Sequence, residues 1–243
     1  MAIDHNIYRN GTLHYKIPYI TRGGIKFSLA TGSRIIHKRA KQILVREPLT
    51  ISWIESFPKG SVFVDVGANI GSYSLLAAKL KKTTTYAFEP QALNFAELCT
   101  NIYLNNLSNR ITPYNIALTD TTKFDLFRLS DMIPGAADNA FAEEARTGET
   151  GINQGCYGTK LDNLFIEGVI EQPDYIKIDV DGAELNVLYG ASIVLQNAKE
   201  VQVELRKKNA DQAEKFLNKL GYIIDYDASY RLNEYEINYV FKR

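Results

Sequence analysis

Residues 62–74 read Val-Phe-Val-Asp-Val-Gly-Ala-Asn-Ile-Gly-Ser-Tyr-Ser, an apolar run that ends in an acid and then breaks at two glycines. Glycine is needed where a backbone turns sharply and lets a ligand approach closely. Gly67 and Gly71 therefore bracket a turn at which a small molecule can reach the main chain. In an open parallel sheet such a turn falls at the carboxyl ends of the strands, where ligands bind. Glu89 stands 18 residues after Gly71, at the end of the next apolar run. From there an acid accepts both hydroxyls of a ribose. A dinucleotide would ask for more glycine and for a helix N-terminus open to pyrophosphate. Here position 69 is asparagine, and Asp65 precedes the first glycine. A carboxylate at that point repels a pyrophosphate and suits a ligand bringing an ammonium and a sulfonium, as S-adenosylmethionine does. The sign of the charge disfavours a nicotinamide enzyme.

Methyl transfer from a sulfonium is an in-line displacement, so much of the catalysis is alignment of the acceptor oxygen with the methyl carbon. A hydroxyl acceptor must also lose its proton, to a carboxylate or a histidine. Asp179 closes a fourth strand and points into the same crevice as Asp65 and Glu89. It is the best-placed acid for aligning the methionine end of the cofactor or the acceptor. Glu204, near the end of the following strand, is the second candidate. A buried or capping carboxylate is the bland alternative for both. Asp179, Asp181, Glu184 and Glu204 also offer the hard oxygens that magnesium takes. Asp179 and Asp181 straddle a strand end, however, so a shared face does not follow from their spacing. Glu184 near a helix start is explained by the helix dipole, and no metal is expected.

The elements that would carry these residues alternate. Val62–Val66, Thr84–Phe88, Ile111–Asn115, Tyr175–Val180 and Glu200–Leu205 read as buried strands. Between them, Ile70, Tyr73, Leu76, Ala77 and Leu80 line one helical face, and Phe95, Leu98, Cys99 and Ile102 another. Ala213, Phe216, Leu217 and Leu220 mark a late helix, with Gly221 at its stop. Strands alternating with helices predict a doubly wound α/β fold with a mostly parallel sheet. Residues 222–226 and 236–241 predict a closing C-terminal antiparallel pair. The tyrosines at 222, 226, 230, 235 and 239 are read as half-buried strand positions with wet hydroxyls.

A length of 243 residues suits one such domain with a short decoration. The 28 basic and 28 acidic residues balance, without the surplus of a nucleic-acid binder. No stretch reaches the apolar length of a membrane span, and Met1–Asn10 lacks the pattern of a signal peptide. Two distant cysteines make no disulfide framework, so a cytoplasmic setting is expected. Cys99 reads as a small core hydrophobe, and Cys156 as part of a glycine-bearing loop. Residues 1–60 form an N-terminal cap segment before a domain at 61–243, with Leu49–Phe57 a short helix leading in. Arg22 to Arg46 holds Arg22, Lys26, Arg34, Lys38, Arg39, Lys41 and Arg46 and no acid. This stretch is read either as a cap beside the site, implying an acceptor with phosphate or carboxylate, or as a solvated basic face. Leu129 to Gly158 has no sustained periodicity and reads as a lid-like insertion.

Val62–Ser74, Tyr86-Ala-Phe-Glu-Pro90, Asn115-Ile-Ala-Leu118, Thr159-Lys-Leu-Asp162 and Ile176-Lys-Ile-Asp-Val-Asp-Gly-Ala-Glu184 together resemble the FkbM family of methyltransferases. The likeness runs from about Glu47 to Leu205. It implies a class I, Rossmann-like methyltransferase fold, S-adenosylmethionine as cofactor, and usually a hydroxyl oxygen as acceptor. Acceptors in the family include sugars of surface glycans and glycolipids, and polyketide hydroxyls. By matching motifs, Asp65, Gly67, Asn69, Gly71 and Glu89 are the implied cofactor contacts, with Asn115 and Ala117 bordering the adenine. Ala183 stands where the family often has histidine, so no histidine-dependent step is carried over. The expectation is an O-methyltransferase for a small polar or glycan-linked acceptor. A non-catalytic S-adenosylmethionine-binding module is the alternative, and retention of Asp65, Glu89 and Asp179 together speaks against it.

Overall fold

The computed structural model describes residues 8–9, 12–13, 19–22, 25–30, 35, 38, 47–137, 140–141, 152–233 and 236–243. A two-residue antiparallel pair, Tyr8–Arg9 with Thr12–Leu13, precedes the antiparallel pair of β1 (Tyr19–Arg22) and β2 (Ile25–Ser28), which is followed by α1 (Pro48–Ser56). Phe27 and Leu29 are fully buried with Ile51, Trp53, Ile54 and Phe57. The segment at 27–29 and α1 thus complete the core of the main domain, and the backbone at 28–30 is clipped to the domain by asparagines. Asn101 Oδ1 accepts from the Ala30 amide at 2.8 Å, and Asn105 Oδ1 from that of Ser28 at 3.0 Å. Most of the basic stretch 22–46 lies outside the described residues, as does His37; Lys26 and Lys38 are exposed.

The alternation that follows is the one the apolar runs predict. It comprises β3 (Val62–Val66), α2 (Ser72–Lys81), β4 (Thr84–Phe88), α3 (Ala92–Leu104) and β5 (Ile111–Tyr114). After an excursion come α4 (Leu161–Ile166), β10 (Tyr175–Ile178), α5 (Glu184–Tyr189), β11 (Glu200–Arg206), α6 (Lys207–Lys219), β12 (Ile223–Arg231) and β13 (Glu236–Lys242). The seven strands lie in the order β12-β13-β11-β10-β3-β4-β5, parallel from β11 to β5 and antiparallel at β13. The chain first winds outward from β3 through β4 to β5, then returns to lay β10 on the other side of β3. The strand order therefore reverses between β3 and β10, where an open α/β sheet has its ligand crevice.

Strand parity divides the two faces. Val64, Val66, Ile176, Ile178, Val201 and Val203 face one apolar layer with Leu188 and Leu217. Phe63, Tyr175 and Val240 face the other, with Trp53, Leu75 and Leu76. Asp65, Lys177 and Gln202 sit on this second face in one register row, Asp65 beside Lys177 and Lys177 beside Gln202. A polar row thus crosses a face that is otherwise core.

The excursion holds a second sheet, ordered β8-β7-β9-β6, of β6 (Ala117–Leu118), β7 (Lys123–Leu129), β8 (Ala140–Phe141) and β9 (Ile152–Thr159). The absence of periodicity predicts an irregular lid over 129–158, yet β9 pairs with β7 from Ile152 to Gly158. Gly155 and Gly158 blank two positions at which side chains would have shown the alternation. Cys156, expected in a loop, is buried on β9, while Cys99 is half-buried on α3. Residues 138–139 and 142–151 lie outside the described residues. No helix among the described residues is long and apolar enough to cross a membrane.

Candidate active site

The β3–α2 turn folds as its glycines require. The Phe88 carbonyl accepts from the amides of both Gly67 and Ala68 at 3.0 Å. Gly67 has φ +78°, and a Cβ there would lie 1.8 Å from the Asp179 carbonyl oxygen. Asn69 takes a left-handed φ of 52° despite its side chain, a costly conformation that surrounding bonds must hold. They do so: its amide donates to Glu89 Oε2 at 2.8 Å, and its Nδ2 to the Ala136 carbonyl at 3.0 Å. Glu89 Oε1 accepts from the Gln91 amide at 2.9 Å. Burial pushes this carboxyl up to about 7, against the pull of those two amides. A hydrogen bond from the Asn94 side chain opposes the shift as well. Asp65 is 1% exposed. Its Oδ2 accepts from Ser74 Oγ at 2.6 Å, while Oδ1 is buried without a partner. Burial raises the Asp65 carboxyl, and Lys177 and Ser74 oppose the shift.

Gly67, Asn69 and Glu89 open onto one cleft of about 1240 Å³, counting its mouth, at the carboxyl ends of β3 and β10, whereas Asp65 and Gly71, expected as cofactor contacts, are not among its lining. One end is apolar, walled by Ile116, Ala117, Leu118, Phe127 and Phe141. Ala117 is where the motif match puts it, but Asn115 is exposed and absent from the lining. Its Nδ2 instead donates to the carbonyls of Glu89 and Pro90 at 2.8 and 3.0 Å, setting Glu89 from behind. Ala136 and Ala137, from the segment expected as a lid, also line the cleft. Asn94 holds that segment, accepting from the Gly135 amide at 2.7 Å and donating to the Ala136 carbonyl at 3.1 Å. Asp162 turns elsewhere, accepting from the amides of Ile193 and Val194.

The other end is charged. Asp179 and Glu204 both line it, together with three residues that the sequence reading did not single out: Lys177, Glu47 and Tyr73. Lys177 Nζ donates to Asp179 Oδ2 at 2.7 Å and lies 4.9 Å from the centre of the Tyr73 ring. Burial works against its ammonium, but Asp179, Glu47 and Asp65 together hold it above the ordinary lysine range. The sequence does carry a signal for it, a lone lysine in the apolar run Tyr175-Ile-Lys-Ile178. Glu47 Oε2 accepts from Thr50 Oγ1 at 3.2 Å and Tyr230 Oη at 3.1 Å. Burial pushes the Glu204 carboxyl up to about 9, and the neighbouring Asp179 and Glu47 add to this while Lys177 opposes it. Asp181 lines the cleft too, whereas buried Glu184 accepts from the Gly182 amide at 2.6 Å outside it.

The expected sulfonium nucleoside fits this set. The cleft brings together an apolar wall, the Glu89 carboxyl beside the turn and a Cβ-free cradle at Gly67, and the unpartnered Asp65 oxygen is buried at the end of β3. The acids Asp179 and Glu204 stand beyond.

A family model for the methyltransferase FkbM domain matches residues 65–224. The hexuronic acid methyltransferase AglP of Haloferax volcanii is 27% identical over 172 residues, covering 71% of this chain and 65% of that protein. Methyltransferase 1 of Beauveria bassiana is 26% identical over 153 residues, covering 56% of this chain and 61% of that protein. The chain thus spans less than two thirds of the length of these relatives. Among solved structures, the transferase PH0793 of Pyrococcus horikoshii aligns with a TM-score of 0.52 at 14% identity, covering 97% of this chain and 76% of that one. TYW2 of P. horikoshii, solved with MeSAdo, aligns with a TM-score of 0.50 at 14% identity, covering 96% and 73%. These two likenesses show a shared fold, the Rossmann-like fold of class I methyltransferases.

Proposed function

Since the chain belongs to the FkbM methyltransferase family, we propose that it transfers a methyl group from S-adenosylmethionine to a hydroxyl oxygen of a small polar, sugar or glycan-linked acceptor. The observation that carries this reading is the division of one cleft into a nucleoside half and an acid half. Gly67, Asn69 and Glu89 lie toward the apolar wall, and Asp179 and Glu204 at the charged end. The name of the Haloferax relative, a hexuronic acid methyltransferase, supports a sugar acceptor.

When bound, the cofactor supplies a sulfonium-activated methyl group; the chain supplies position and a place for the proton. Glu89 accepts the ribose hydroxyls, and Ala117 with its apolar neighbours covers the adenine. Asp179 faces the cationic methionine end, and Asp65, buried just outside the lining, acts on it through its charge. Lys177 locks Asp179 in one rotamer, so that its second oxygen aligns the acceptor. Glu204 takes the proton of the acceptor hydroxyl as that oxygen closes on the methyl carbon. A carboxyl that burial pushes up to about 9 is a stronger base, once ionised, than one in water, and a cation bound beside it favours the ionised form.

Calorimetric titration tests the cofactor: S-adenosylmethionine is expected to bind one to one and NAD not at all. Asp65→Ala and Glu89→Ala should each weaken binding by about tenfold or more, the scale of a lost charge-assisted bond. Unchanged affinity in both would overturn the reading. Labelled methyl transfer into cell extracts, with identification of the labelled product, then finds the acceptor.

A further inference from the structure

Among the described residues lining the cleft, five carboxyl groups (Glu47, Glu89, Asp179, Asp181 and Glu204) stand against one cation, Lys177. That ammonium is committed, 2.7 Å from Asp179 Oδ2, and its residue is 1% exposed. Its charge is largely offset by that carboxylate. Glu47 is buried and fixed by Thr50 and Tyr230, so its charge cannot swing away.

We propose that Glu47 and Glu204 make the acid end of the cleft a subsite for an uncharged, hydroxyl-bearing sugar, with Glu47 excluding acceptors that bring a carboxylate or phosphate. This rests on the methyl-transfer reading above and names its substrate class. Three observations converge on it. The first is the charge count of the lining. The second is that this end does not keep Glu204 ionised at neutral pH. Burial holds the proton on Glu204, and Asp179 and Glu47 add to that hold. A carboxylate entering from an acceptor would meet the same field and the same poor solvation. The third is chemical. A carboxylate acceptor is already a nucleophile and needs no base, but it needs a cation to hold it. A hydroxyl needs a base and no cation, and the base is what this end supplies. Fixed carboxylate oxygens flanked by Tyr73 and Thr50 also match the hydroxyl donors of a neutral pyranose. On this inference the chain parts from its Haloferax relative, whose name specifies a hexuronic acid.

Saturation-transfer NMR on the whole chain, saturated with S-adenosylhomocysteine at 50 mM salt, tests this. The probes are methyl glycosides of glucose, galactose, mannose and rhamnose, with methyl glucuronide as the anionic counterpart. At least one neutral glycoside is expected to bind at least tenfold more tightly than the glucuronide. Glu47→Gln should bring glucuronide binding up by about tenfold. In the unaltered protein, raising salt to 500 mM should strengthen glucuronide binding alone, because exclusion by charge is screened; this arm stands even where the variant fails to fold. Glucuronide binding equal to or tighter than every neutral glycoside overturns the proposal. So does a panel in which no neutral glycoside binds, or a discrimination that neither salt nor Glu47→Gln changes. Titration of S-adenosylmethionine on the same sample separates the two readings. If the cofactor fails to bind, the methyl-transfer reading fails; if it binds and the glucuronide wins, only the present inference does.

Discussion

Glu89 shows how much a single carboxyl must do in this site. It caps the strained Asn69 backbone and the Gln91 amide with its two oxygens, and on the proposed function it accepts ribose hydroxyls as well. Only the ionised form serves all of these. Burial pushes its pKa up to about 7, so near neutrality a large fraction of the free protein holds it protonated. Cofactor binding by the ionised form then takes up no proton but must first release one. Affinity for S-adenosylmethionine should therefore rise as pH goes from 6 to 8, by up to about tenfold, and level off above. Titrations at pH 6, 7 and 8 read this directly. The Glu89→Gln variant should bind weakly and without that slope. A flat wild-type profile would show that Glu89 is already ionised at pH 6 or does not face the ribose.

At the scale of elements, the site depends on two strand ends passing at van der Waals distance. A Cβ at Gly67 would meet the Asp179 backbone at 1.8 Å, whereas one at Gly71 would meet Leu98 Cδ1 at 2.5 Å. A backbone cannot retreat without breaking the β3–β10 pairing, but a leucine methyl can rotate away. Both positions have positive φ, so both alanines carry backbone strain. Gly67→Ala should thus cost about 3 kcal/mol or more and Gly71→Ala clearly less, measured by urea denaturation; the reverse order would contradict this packing. A second element, the segment at 135–137, hangs on Asn94. Asn94→Ala should speed hydrogen exchange at Gly135 and loosen cofactor binding severalfold while leaving the main sheet protected. What was legible in the sequence follows the same division. The glycine turn, Asp65, Glu89 and Asp179 are properties of single strand ends, and local pattern reveals them. Lys177 announces itself as a charge in an apolar strand, but Glu47, whose charge acts on it, reaches the cleft only through the packing of α1. No spacing encodes that placement. Asn115 was legible as a neighbour of the site, not as a clamp behind it, because its direction depends on the β4–α3 turn. The strand β9 was hidden by its own glycines.

The whole molecule carries balanced charge, 28 against 28, yet it concentrates acids at the mouth of its sheet, and this fixes how its stability depends on pH. Glu89 and Glu184 are pushed up to about 7 and Glu204 up to about 9, each from 4.5 and each chiefly by burial. A carboxyl whose folded pKa exceeds its unfolded one keeps a proton in the fold that the open chain gives up. Between pH 4.5 and these folded values the unfolded state binds fewer protons, so rising pH favours unfolding. The penalty is absent below the unfolded value, grows through neutrality, and is complete above the folded value. Lys177 has the opposite character: its raised pKa contributes stability below the ordinary lysine value, and this is lost only at strongly alkaline pH. Within pH 5 to 9 the carboxyl contribution therefore dominates, and the melting temperature of the free protein should be lower at pH 9 than at pH 6. Glu204→Gln removes the group whose window extends furthest and should shrink that drop, gaining stability at pH 9 relative to wild type and little at pH 5. An equal drop in both proteins would mean that Glu204 is solvated or paired in a way that the crowding of Asp179, Glu47 and Glu204 around Lys177 does not allow. A shrunken drop would show that the cleft trades stability for a poised acid, as a site built to accept a proton must.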